Sequence, residues 1–261
     1  EHPGSDSQSI KALLEGKKPA PGFEVIPDRL ADIYSVVQEI QSGTFQLPQS
    51  SIVLMGHSLG SLTAFLAAGA KPELGLTSTC DSRLENFSLA NLSELLQCEL
   101  VDFSLIEHKD ITSLKAIVGI NSFGSRIWTR NSKININLPV FLTGGTFDLV
   151  TPAIYEQLQL FLATKKNRFS RVLLIEGASH FSPIRVKKKI NKSIDNDVFK
   201  LSKSLVGYDP QKIQKLLAQQ IINFLDNLEA KKIVPVNTNV IKNQLRFHIL
   251  DRLTIKKLVK N

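Results

Sequence analysis

The chain contains no uninterrupted run of eighteen apolar residues, so its sequence offers no membrane-spanning helix. Its opening stretch, Glu1-His2-Pro3-Gly4-Ser5-Asp6, lacks the apolar core of a signal peptide and does not begin with methionine. That stretch reads as a loop leaving a strand and predicts a fold truncated at its N-terminal side, with earlier strands upstream of residue 1. Cysteine is scarce: Cys80 and Cys98 are too few for a four-ligand zinc site and too far apart for a CxxC redox pair. They would pair in an oxidising compartment and remain buried thiols in a reducing one. Free thiols, and a cytoplasmic rather than a periplasmic location, are the expectation. Aromatic residues make up only 7% of the chain and do not interleave with its basic clusters, which argues against nucleic acid as a partner. No metal and no organic cofactor is implied.

What is present is a composition for one large core: 43% of the 261 residues are hydrophobic, which excludes a disordered chain. The net charge of +8 is concentrated in two segments. Residues 185–203 carry +5 and residues 229–261 carry +6, leaving −3 for the rest. Solvated faces are the plain reading of both clusters. Peripheral contact with an anionic membrane surface is the alternative.

The richest stretch is Ile52-Val53-Leu54-Met55-Gly56-His57-Ser58-Leu59-Gly60. A G-x-S-x-G pattern alone arises by chance in about one chain in ten of this size, so its context decides. Residues 51–55 form a buried-strand pattern, and Leu62, Phe65, Leu66 and Gly69 follow at helical spacing among alanines. A strand, sharp turn and helix in that order is the context of a nucleophile elbow, which would expose the hydroxyl of Ser58. Both Gly56 and Gly60 are expected to be glycine because the backbones approach closely there.

Residues 27–41 predict an amphipathic helix ahead of this strand. Strand patterns return at Leu114 to Ile120, Leu138 to Thr143 and Arg171 to Glu176, with helices at Pro152 to Ala163 and Pro210 to Leu228. The alternation predicts an α/β fold, a mainly parallel sheet with helices on both faces. Residues 1–228 read as one domain. Within it, residues 71–111, with a short helix at Leu89 to Gln97, form a cap insertion, and residues 183–204 a basic insertion. Residues 229–261 read as a basic C-terminal tail.

Ligands of parallel sheets bind beyond the carboxyl ends of the strands, so the residues that follow each strand carry most weight. Asp148 follows one strand in Thr143-Gly144-Gly145-Thr146-Phe147-Asp148, and His180 follows another in Glu176-Gly177-Ala178-Ser179-His180. Histidine is the usual base for a serine hydroxyl, and a carboxylate on its far nitrogen fixes the tautomer. Ser58, His180 and Asp148 are therefore the candidate nucleophile, base and orienting acid. Glu176 is the runner-up acid. Thr151-Pro152 reads as the N-cap and first residue of the next helix. The backbone N–H of Leu59 is one candidate oxyanion donor, and a second is expected from a loop after an earlier strand.

With those groups in place, the chain resembles the α/β-hydrolase superfamily, whose triad order is serine, acid, histidine. More narrowly, it looks like the cyanobacterial branch of predicted dienelactone hydrolases, related to platelet-activating-factor acetylhydrolases and lipases. The resemblance rests on Glu1 to Ser5, Gly56 to Gly60, Asn91 to Cys98, Thr143 to Pro152 and Gly177 to Phe181, and runs from residue 1 to about residue 228. It implies a serine hydrolase of carboxylic esters acting through an acyl-enzyme on Ser58; the apolar residues of segments 71–111 and 183–204 favour a small-molecule ester or lipid substrate, lipid or aryl rather than charged. In that branch further strands precede the segment matching Glu1 and hold the second oxyanion loop; without them the strand before Ser58 becomes a sheet edge. Dienelactone hydrolases proper use a cysteine, so Ser58 sets the chain apart. A non-catalytic relic serving as a binding module, and a thioesterase or acyltransferase on the same triad, are the rival readings.

Overall fold

The computed structural model describes residues 23–46, 51–72, 108–128, 134–184 and 209–259, with Gln8, Ala12, Lys17, Ser93, Gln97 and Cys98. Helix α1 (Ile26–Gln41) carries Pro27 in its first turn and buries Ile26, Leu30, Tyr34 and Val37, one stripe of a 3.6-residue period. Strand β1 (Ile52–His57) then turns at Ser58 into helix α2 (Leu59–Ala67), whose residues from Ser61 to Ala67 are all buried. Strands β2 (Leu114–Ile120), β3 (Val140–Gly145) and β4 (Arg171–Ile175) follow. Helix α3 (Gln159–Ala163) lies between β3 and β4, and α4 (Pro210–Glu229) follows β4. A hairpin of β5 (Asn237–Lys242) and β6 (Leu245–Leu250) and helix α5 (Arg252–Leu258) complete the described chain.

The six described strands form one sheet in the order β1-β2-β3-β4-β6-β5. The pairs from β1 to β4 are parallel, whereas β6 runs antiparallel to both β4 and β5. Alternation along the strands divides the core between two faces. Ile117, Leu142 and Val172 face α1, α2, α3 and α5; Val118, Phe141 and Leu173 face α4. Helix α4 covers its side with Ile213, Leu216, Leu217 and Phe224, each worth about 1.5–3 kcal/mol of burial. Helices on both faces of a mostly parallel sheet agree with the sequence expectation.

The expected basic tail is corrected by the sheet itself. Residues 237–242 and 245–250 are strands, with Leu245, Phe247 and Ile249 buried against α4, so the segment after residue 228 belongs to the core. Lysine and arginine dominate its charge, but the alternate apolar residues determine where it packs. The helix expected at Pro152 to Ala163 is also modified. Its first turn, Ile154–Leu158, is π-helical, with Leu158 N–H bonding back to Ala153 O at 3.0 Å. The expectation of free thiols is overturned for Cys98, which is disulfide-bonded. The other cysteine, Cys80, lies outside the described residues. So do most of the cap expected at 71–111, nearly all of the insertion expected at 183–204, and the opening residues that carry part of the family resemblance.

Among the described residues, β1 pairs with β2 alone and lies at one end of the strand order. Ile52 and Leu54 are buried on the α1 and α2 side, while Met55 on the other side is 60% exposed. No described helix is long and apolar enough to cross a membrane.

Candidate active site

Ser58, Asp148 and His180 follow the carboxyl ends of β1, β3 and β4. Ser58 has φ +52° and ψ −119°, a conformation that non-glycine residues avoid at a cost of about 1–3 kcal/mol. It persists because both sides of the turn are fixed: Ser58 N–H bonds Ile120 O at 2.9 Å, and Ser58 O accepts from Ser61 N–H at 2.9 Å. The crowding behind the turn is one-sided. A Cβ on Gly56 would sit 2.2 Å from both the carbonyl carbon and oxygen of Gly60, whereas a Cβ on Gly60 would meet nothing within 4 Å. The structure therefore requires glycine at 56, and the expectation that Gly60 must also be glycine is not supported by sterics.

The acid and histidine turns are packed tightly together. Phe147 N–H bonds Ala178 O at 2.9 Å, and Gly177 N–H bonds the Thr146 hydroxyl at 2.9 Å. A Cβ on Gly145 would come within 2.0 Å of Ala178 O, so only glycine lets these turns approach. The approach brings the Asp148 carboxylate to the His180 ring, with Nδ1 at 3.0 Å from Oδ2 and 3.2 Å from Oδ1. Both residues are buried, at 3% and 5% exposure. Further donors converge on the carboxylate: Val150 N–H at 3.0 Å and Thr151 N–H at 2.7 Å on Oδ1, and the Thr151 hydroxyl at 2.7 Å on Oδ2. Thr151 thus serves Asp148, and the helix N-cap role expected for it is not found; Ala153 precedes the π-helical turn without a side-chain cap.

His180 Nδ1 is committed to the acid, and Nε2 enters no hydrogen bond among the described residues. The Ser58 hydroxyl is likewise in none, so the structure brings serine and histidine to one sheet edge without bonding them. The Leu59 N–H opens helix α2, where helices leave their first donors unpaired, and makes no backbone hydrogen bond among the described residues. No strand precedes β1 among the described residues, so the second oxyanion donor expected from an earlier loop is not among them. Glu176, the runner-up acid, faces away from His180. It accepts from His248 Nε2 at 3.0 Å and lies 3.8 Å from an Arg246 guanidinium nitrogen.

Three residues beside the candidates carried no functional reading in the sequence. Asn121, just past β2, donates through its amide to the backbone oxygens of Ser179 and His180 at 3.1 and 3.0 Å. His57 bonds His180 O through Nε2 at 2.8 Å, its ring centroid 4.8 Å from that of His180. Burial and the neighbouring His180 ring push the His57 pKa down to about 4, so the ring is neutral at pH 7 with its proton on Nε2, facing a carbonyl that only accepts. Glu156 is completely buried and receives Ser93 Oγ at 2.5 Å, Gln97 Nε2 at 2.9 Å and the N–H groups of Gly124 and Ser125 at 3.1 Å. Its pKa is raised, chiefly by burial. Glu156 ties two residues of the expected cap to the loop after β2. A helical pattern does not distinguish such an inward carboxylate from a surface one.

No group of three or more His, Cys, Asp or Glu among the described residues is arranged to hold a metal ion. No protein-family model matches the chain, and no curated protein does.

Proposed function

We propose that this protein is a serine hydrolase of the α/β-hydrolase fold that cleaves carboxylic esters through an acyl intermediate on Ser58. The observation that carries the reading is the buried Asp148–His180 pair, 3.0 Å apart, at the sheet edge where Ser58 occupies its strained turn. In the mechanism, Ser58 Oγ attacks the ester carbonyl carbon while His180 Nε2 takes its proton. Asp148 stabilises the imidazolium, and Leu59 N–H faces the developing oxyanion, a contact typically worth about 3–4 kcal/mol. The carbon–oxygen bond to the alcohol breaks as His180 returns the proton to the leaving oxygen. Water, deprotonated by His180, then attacks the acyl group, releasing the acid and restoring Ser58. The exposed Phe147, Leu149, Ile154 and Tyr155, on and just after the acid turn, support an apolar acyl or aryl group in the substrate.

Fluorophosphonate labelling tests this reading. The parent protein is expected to be labelled on Ser58, Ser58→Ala to take no label, and His180→Ala to react at least about a hundredfold more slowly. Labelling that does not depend on Ser58, or none in the parent, overturns the proposal. It would then favour the second reading, a non-catalytic binding module, for which the missing Ser58–His180 hydrogen bond is the supporting observation.

A further inference from the structure

We propose that Asn121 is a positioning residue that holds His180 in register with Asp148 and Ser58; this rests on the hydrolase reading above. Asn121 is buried at 2% exposure and has φ +45°. If the backbone alone mattered here, glycine would adopt that conformation without strain. Asparagine tolerates it less well but brings an amide, and the amide is used twice, on the carbonyls of Ser179 and His180. The His180 carbonyl is held from a second side by His57 Nε2 at 2.8 Å.

The backbone of the same residue reaches the other two groups. Its carbonyl lies 3.2 Å from the Thr151 hydroxyl oxygen, whose single proton goes to Asp148 Oδ2 at 2.7 Å and which lies 3.1 Å from His180 Nδ1. Its N–H bonds Thr143 O at 2.8 Å, continuing the β2–β3 pairing, while the preceding Ile120 carbonyl accepts the N–H of Ser58. Two consecutive residues at the end of β2 therefore touch the serine turn, the acid turn and the histidine turn.

This junction is itself fixed. Ser122 exchanges two backbone hydrogen bonds with the Gln157 amide, at 3.0 and 2.7 Å, and Ser122 Oγ meets Ser61 Oγ at 2.6 Å. Because the Asn121 end is rigid, its two bonds to residues 179 and 180 hold the histidine turn in place. Without the amide, two buried carbonyls lose a donor and the turn shifts, carrying the ring out of line with Ser58.

The test uses Asn121→Ala and Asn121→Gly, the second removing the amide while making φ +45° easy, so that folding is preserved. Two readouts are taken on the full chain: the second-order rate of fluorophosphonate labelling, normalised to folded fraction, and the downfield proton NMR signal of His180 Nδ1–H, assigned by its loss in Asp148→Asn. Labelling about 10- to 100-fold slower is expected, with the signal broadened or lost at a pH where the parent shows it. With a turnover substrate, kcat should fall while KM changes less than about threefold. Parent-like labelling and a parent-like signal in the glycine variant overturn the proposal. If the parent takes no label, the hydrolase reading fails, and the NMR arm alone decides: a lost signal supports the positioning role and a retained one refutes it.

Discussion

The two glycines that flank Ser58 occupy equivalent places in the motif but are predicted to respond oppositely to one added methyl group. In Gly56→Ala the new Cβ lies 2.2 Å from the carbonyl carbon and oxygen of Gly60 and 2.6 Å from Ser61 N, against an ordinary contact of 3.4 Å or more. The obstacle is backbone at the start of α2, which must retreat by about 1 Å, so the cost should lie near the top of the overpacking range, about 3 kcal/mol. The same shift displaces Ser58 and Leu59 and should slow labelling about a hundredfold. In Gly60→Ala the Cβ meets nothing within 4 Å, and alanine is the better helix former by up to about 1 kcal/mol. Its stability should be unchanged or slightly higher, and labelling within about threefold of the parent. Urea unfolding of both variants, alongside labelling rates, checks this. Equal destabilisation by the two substitutions, or a Gly56→Ala protein within about 0.5 kcal/mol of the parent, refutes the steric argument.

Two further tests concern groups around the site. His57 has a folded pKa of about 4 against 6.5 unfolded, so its neutral form contributes stability fully above pH 6.5, lost as pH falls through 4. The stability difference between the parent and His57→Gln should shrink by no more than about 3 kcal/mol over that range, the partial exposure of the ring reducing it, as read from urea midpoints at pH 7 and pH 4. Glu156 has its pKa raised by burial, so its contribution is present below the unfolded value of 4.5 and is lost as pH rises through the folded value. Glu156→Gln loses an acceptor, and its deficit, about 1–2 kcal/mol at pH 5, should narrow by pH 8; a deficit that widens refutes the assignment.

Much of the fold was legible because its signals are local. The strands at Leu114–Ile120 and Arg171–Ile175 and the helix at Pro210–Glu229 follow from apolar spacing within their own windows. The C-terminal segment was misread because its charge density suggested a tail, while its alternate apolar residues needed the α4 face beside them to be recognised as strand. Gly60 was misjudged for the same kind of reason: free space beside a residue is not written in its neighbours along the chain.

By itself, the sequence determined the turn at Ser58, the residues that follow β3 and β4, and their chain order, since each is set by contiguous residues. Only the tertiary structure decided that Asp148 and His180, 32 positions apart, form a bonded pair and that Glu176 turns instead to His248. It alone revealed the parts played by Asn121 and His57, whose side-chain partners lie 58 to 123 positions away. Local patterns fix backbone shape, whereas a buried polar group finds its partner only where the fold brings distant loops within about 3 Å.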